Sequence, residues 1–205
     1  SFENKISKLS SKKYGLMVNS GSSALILAFN VMNFKSGSEI ITPCLNFGTA
    51  VSSMMLSNLV PVLVDCKIDT LQIDEDSIEK KITKKTKAIL APNLIGNIPN
   101  WKKIRAIANK YKLKVLEDSA DTLGAKINNK STGIYSDISI TSFYGSHVIS
   151  CAGNGGIFLT NDKNFYTRAK VLRSWGRMST LIKDSENINK RLGIKLKGFD
   201  YDRKF

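Results

Sequence analysis

The sequence predicts an α/β layer fold, with a mainly parallel sheet of seven strands lying between helices. From Tyr14 to about Ser174, short aliphatic or β-branched runs alternate with longer amphipathic ones. Several of the longer runs follow a residue suited to capping a helix: Ser20, Asn46, Asp74 or Asn100. A chain of 205 residues, 42% hydrophobic with only 4 prolines, can bury one sizeable core, which excludes disordered and collagen-like classes.

In chain order, strands are expected at 15–18, 39–42, 60–64, 88–92, 114–117, 138–142 and 156–160, and helices at 22–32, 47–56, 76–81, 101–111 and 164–173. Ligands of such a sheet bind at the carboxyl ends of its strands, so chemistry is sought there. The first strand opens through Asn19-Ser20-Gly21-Ser22-Ser23-Ala24 into a helix. Such a turn offers backbone N–H groups, hydroxyls and the positive end of a helix dipole to a phosphate, though a plain N-cap has the same composition. The glycine-rich signatures of P-loops and Rossmann dinucleotide sites are absent.

Phe47, at the start of the second helix, suits either the core or a platform for a flat ring. The strand Lys114-Val115-Leu116-Glu117 runs into Asp118-Ser119-Ala120-Asp121. A carboxylate at this strand end can pair with a protonated heterocyclic nitrogen or, less readily without nearby His or Cys, a metal; a solvated strand end reads the same way. The strand at 138–142 ends in Ser142-Phe143-Tyr144-Gly145-Ser146-His147, and His147 is the sole histidine. On a strand-end loop it is a candidate general acid or base, with an ordinary surface histidine as the plain alternative. Gly153-Asn154-Gly155-Gly156 then leads back into a strand.

Thirty-one Lys+Arg against 17 Asp+Glu give a net charge of +14, which raises nucleic acid as a partner. Residues 163–205 hold twelve of these cations and four of the acids, so much of the charge belongs to the tail and nucleic acid is disfavoured. Residues 178–205 are expected to form a basic linker or extension. No apolar run approaches the roughly 18 residues of a membrane helix, and the start lacks a secretory stretch, so a soluble, cytoplasmic protein is expected. Cys44, Cys66 and Cys151 stand far apart along the chain and read as reduced thiols, with neither a disulfide framework nor a zinc site.

Taken in order, SGSSA, TPCLNF, VPVLVD, TKAILAPNLIG, KVLEDSADTLGA, SDISITSF and GNGGIFLTND resemble the DegT/DnrJ/EryC1/StrS sugar aminotransferase family, vitamin B6 enzymes of the aspartate-aminotransferase fold, fold type I. The resemblance spans about residues 5–177 and implies that 1–177 is a cofactor-binding large domain. Family members continue about as long again, so 178–205 is expected to lead to a small domain beyond this chain. It implies that Gly21, Ser22 and Ser142 hold the cofactor phosphate, that Phe47 stacks on the pyridine ring, and that Asp118 pairs with the ring nitrogen.

Where the aminotransferases carry the lysine that bonds the cofactor, this sequence has His147. That resembles the sugar 3-dehydrase branch, which works with pyridoxamine 5'-phosphate. Asp121, a further cofactor-binding residue by this resemblance and standing in place of glutamine, and Gly96-Asn97 resemble the same branch; the cysteine spacing fits its cluster-free type. The loop after His147 is one residue longer than usual, with Gly153-Asn154 where a glutamate is expected.

The resemblance implies C3 deoxygenation of a nucleotide-linked 4-keto-6-deoxyhexose, with the cofactor held noncovalently, His147 as base, and a homodimer. A pyridoxal phosphate-dependent nucleotide-sugar aminotransferase is the alternative within the family, and a basic binding module or inactive fragment the alternative outside it.

Overall fold

The structure, a computed structural model, describes residues 1–147 and 149–182. Seven strands form one sheet: β1 (Tyr14–Val18), β2 (Glu39–Pro43), β3 (Val60–Val64), β4 (Thr86–Pro92), β5 (Lys114–Asp118), β8 (Ile138–Ser142) and β9 (Gly156–Thr160). Their spatial order is β1-β9-β8-β5-β4-β2-β3. β9 runs antiparallel to both of its neighbours and every other pairing is parallel, as the mainly parallel expectation required.

The apolar runs were legible because the central strands are covered on both faces. Ala88 and Leu90 of β4 pack in one layer with α2 (Gly21–Met32) and α3 (Gly48–Leu56), around the buried Phe29 and Met54. Ile89 and Ala91 turn to the other layer, with Trp101, Ile104 and Ile107 of α5 (Trp101–Tyr111) and Ile78 of α4 (Glu75–Ile78). The last helix, α6 (Lys163–Arg173), joins the α2 side through Ala169. Ser20, Asp74 and Asn100 cap α2, α4 and α5 as expected, each accepting a backbone N–H from the first turn.

Two of the expected elements differ from the sequence expectation. Phe47, rather than Asn46, is the N-cap of α3. The Asn46 side chain is held elsewhere, accepting from Phe47 N–H at 2.8 Å and donating to Thr42 Oγ1 at 3.0 Å. The segment 76–81 is a single α-turn that tightens into a 3₁₀ turn, Glu79–Lys81.

The chain also begins with a helix that the sequence did not announce, α1 (Phe2–Leu9), docked on β1 and β9. Glu3 Oε1 accepts from Met17 N–H at 2.8 Å, and a Cβ on Gly15 would stand 2.4 Å from Ser7 Oγ, so α1 lies closely over the strand. A small hairpin, β6 (Lys126–Ile127) with β7 (Lys130–Ser131), was likewise unannounced. Met178–Leu181 forms a 3₁₀ turn, and the remainder of the expected linker, from residue 183 onward, lies outside the described residues. Among the described residues no helix is long and apolar enough to cross a membrane.

Candidate functional site

A cavity of about 810 Å³ opens at the carboxyl ends of β2, β4, β5 and β8, against the start of α2. All seven residues singled out from the sequence line it: Gly21, Ser22, Phe47, Asp118, Asp121, Ser142 and His147. Asp118 and His147, which come from different strand ends, therefore face one space.

At one end lies the N-terminus of α2. The first N–H groups of any helix lack intrahelical acceptors, and Ser20 Oγ accepts that of Ser23 at 3.1 Å. A Cβ at residue 21 would stand 2.7 Å from Ser142 Cβ, so glycine lets the helix start rest against the end of β8. This close seat brings the Ser142 hydroxyl beside the positive pole of α2, a cradle with the chemistry of an anion site. Phe47 settles its own ambiguity: it is 71% exposed, so it serves the cavity wall and not the core.

Asp118 ends β5 on the cavity floor and is 6% exposed. Its Oδ1 accepts from Ala120 N–H at 3.0 Å. Burial pushes its pKa from the ordinary 3.8 up to about 6, the nearby charges of Asp121 and Glu117 adding to the effect. A buried carboxylate with so little compensation calls for a cation, and the protonated nitrogen of a pyridine ring has the right chemistry to supply it. The cradle, the aromatic wall and this floor together fit a phosphorylated pyridine.

His147 stands on the loop after β8. Its Nδ1 lies 3.3 Å from the Ser142 carbonyl oxygen, and its ring meets Tyr144 edge-on with centroids 5.9 Å apart. A carbonyl can only accept, so Nδ1 is the donor in this contact, and Nε2 is the ring nitrogen left for other partners. Nε2 is 3.7 Å from Asp121 Oδ1. Among the described residues lining the cavity there is no lysine.

Beneath the floor is a polar layer that sequence reasoning missed. Asn93 is buried; its Nδ2 donates to Glu117 Oε1 at 3.0 Å and its Oδ1 accepts from Trp101 Nε1 at 2.8 Å. Glu117 Oε2 also accepts from Ser139 Oγ at 2.6 Å, and the Lys12 ammonium reaches the same cluster through Ser136, whose carbonyl it meets at 2.6 Å. Burial lowers the Lys12 pKa to about 8. Asn93 directly after Pro92 at a strand end was the available signal. Ile95, which also lines the cavity, adopts a left-handed conformation at φ 52° that nothing in its β-branched type announces.

The sheet, with its one reversed strand and its strand-end cavity, is that of a fold-type-I large domain of the vitamin B6-dependent aminotransferase class. The chain belongs to the DegT/DnrJ/EryC1/StrS aminotransferase family, whose profile matches residues 1–200. That family comprises sugar aminotransferases and 3-dehydratases.

GDP-perosamine synthase of Escherichia coli O157:H7 is 35% identical over 175 residues, covering 85% of this chain and 48% of that protein. GDP-4-keto-6-deoxy-D-mannose 3-dehydratase of E. coli O55:H7 is 33% identical over 201 residues, covering 95% and 50% respectively. The solved E. coli GDP-4-keto-6-deoxy-D-mannose-3-dehydratase with bound hydrated PLP superposes with a TM-score of 0.85 at 31% identity, covering 98% of this chain and 55% of that one. The chain thus spans about half the length of these relatives.

Proposed function

We propose that this chain is the cofactor-binding part, residues 1–177, of a cytoplasmic nucleotide-sugar 3-dehydratase that uses pyridoxamine 5'-phosphate and removes the C3 hydroxyl of a nucleotide-linked 4-keto-6-deoxyhexose. The observation that carries this reading is His147 on the cavity rim in a lining free of lysine among its described residues, opposite a buried carboxylate. The similarity to a 3-dehydratase supports it.

When bound, the cofactor supplies an amine that condenses with a ketone and a ring that accepts an electron pair. The residues divide the remaining work. Gly21 and Ser22 at the start of α2, with the Ser142 hydroxyl, receive the phosphate. Phe47 covers one face of the ring and keeps water from it. Asp118 holds the proton on the ring nitrogen, and its own carboxylate becomes the compensated half of an ion pair. His147 takes a proton on Nε2 while the Ser142 carbonyl keeps Nδ1 fixed, and the same imidazolium can then return the proton to the departing hydroxyl. An imidazole forms no lasting covalent bond with the cofactor's carbonyl form, so binding rests on these noncovalent contacts. The working unit is a homodimer.

The test is product analysis of the full-length protein with pyridoxamine phosphate and GDP- or dTDP-4-keto-6-deoxyhexose, scoring loss of the C3 oxygen separately from gain of an amino group. Wild type should lose oxygen and His147→Asn should not; dehydration that survives in the Asn variant sinks the assignment. Amino transfer by wild type would make the chain part of an aminotransferase.

A further inference from the structure

The sequence separates Cys44 from Cys66, but the fold brings them together. Cys44 follows the last residue of β2, and its N–H donates to the Val64 carbonyl at 2.8 Å, extending the β2–β3 ladder one step. Cys66 lies two residues past the end of β3. One carboxylate oxygen ties both: Asp65 Oδ1 accepts from Cys44 Sγ at 3.8 Å and from Cys66 N–H at 2.9 Å. The Cys44 thiol is near enough to the Cys66 thiol to oppose its ionisation. Cys44 is exposed and Cys66 half-buried, so small molecules reach the pair from the Cys44 side.

Each cysteine stands at the root of a segment that lines the cavity. Leu45, Asn46 and Phe47 follow Cys44 directly. Cys66 bridges Ile73, and Lys67 N–H donates to the Gln72 carbonyl at 2.9 Å, closing a loop from which Leu71 lines the cavity in a left-handed conformation. A bond between the two sulfurs would staple the root of one wall segment to the root of the other.

We propose that Cys44 and Cys66 are a reversible dithiol–disulfide site that stiffens the 44–47 and 67–72 walls of the cavity when oxidised by a low-molecular-weight disulfide such as glutathione disulfide. The Cys44 thiolate attacks one sulfur of glutathione disulfide and expels one glutathione thiolate. Cys66, losing its proton, then attacks Cys44 Sγ and expels the glutathione held there. Two protein thiols are oxidised, one disulfide is reduced to two glutathiones, and protons balance. Burial, then the neighbouring Cys44 and Asp65, push the Cys66 thiol up, so the first attack falls to the exposed Cys44, and Cys66 enters only in the intramolecular step, where proximity offsets its smaller thiolate fraction. Any consequence for ring binding through Phe47 rests on the function proposed above; the disulfide itself does not.

The experiment equilibrates the chain in graded ratios of reduced to oxidised glutathione, followed by intact mass and peptide mapping. Oxidised protein should lose two hydrogens, yield a linked Cys44–Cys66 peptide and leave Cys151 free to alkylate. Cys66→Ser should stop at a glutathione adduct on Cys44, and Cys151→Ser should behave as wild type. Stable glutathione adducts in wild type without a linked peptide, or linkage to Cys151, would overturn the site. Amide hydrogen exchange on the same samples should slow at least threefold across 44–47 and 67–72 on oxidation and revert with dithiothreitol. Unchanged exchange in disulfide-bonded protein would overturn the stiffening. Neither readout uses cofactor or substrate, so failure here is separable from failure of the dehydratase reading.

Discussion

Asp121 joins two strand ends across the mouth of the cavity: its Oδ1 lies 3.7 Å from His147 Nε2 while its Oδ2 accepts the Ile95 N–H at 3.1 Å. The backbone bond fixes the carboxylate, and the fixed carboxylate faces the ring nitrogen that the Ser142 carbonyl does not engage. A proton arriving on Nε2 therefore meets a negative charge already in position.

Asp121→Asn removes that charge yet keeps an oxygen for the Ile95 N–H. We expect kcat to fall about tenfold to a hundredfold, the loss seen when carboxylates that orient metal-bound histidines are removed, with pyridoxamine phosphate affinity changed less than about threefold. Steady-state kinetics beside a spectral titration would separate the two; a loss confined to affinity would assign Asp121 to cofactor binding alone.

Asp118→Asn should act in opposite directions on stability and binding. With the folded pKa near 6 and the ordinary value at 3.8, the native state keeps a proton that the unfolded chain releases. Wild-type stability from this group accordingly falls as pH rises from about 4 to about 6 and stays lowered above that. The Asn variant lacks the burdened charge and should be more stable without cofactor at pH 7, on the order of 1 to 3 kcal/mol, with no gain below pH 4. It should bind pyridoxamine phosphate more weakly. Urea melts at the two pH values and a binding titration check both halves.

Gly21→Ala places a methyl group 2.7 Å from Ser142 Cβ. The start of α2 must move off β8, with an expected loss of about 1–3 kcal/mol and weaker binding of inorganic phosphate. Isothermal titration with phosphate, set beside thermal unfolding, would show whether the cradle and the packing fail together.

Trp101→Phe retains most of a fully buried ring but strands Asn93 Oδ1 without its indole donor. We expect a cost of about 1–3 kcal/mol by denaturant titration. A change near zero would mean that the polar layer under the floor tolerates the vacancy.

The seven strands were readable because a strand buried on both faces must be apolar along its length, as Ile89, Leu90 and Ala91 are. The site residues were readable for a related reason: each sits within a few residues of a strand end or helix start, and the family motifs preserve those places. What escaped depends on contacts between distant segments. The short α1 exposes Phe2 and Leu9 in part and is seated by Glu3 on β1, a partner no local pattern reveals. The approach of Asp121 to His147, and of Cys44 to Asp65 beside Cys66, required the order of strands in the sheet, which the linear sequence does not display.

Because β9 runs backward, the chain that leaves the sheet at Ser142 re-enters it at Gly156, the residue directly paired with Ser142. Phe143 N–H and the Gly155 carbonyl close this gate at 2.8 Å. The described residues between them, His147 included, form a loop rooted at this gate. On the function proposed above, the thirteen residues from Phe143 to Gly155 would set the choice between two reactions, because their length and chemistry can change without shifting the register of any strand.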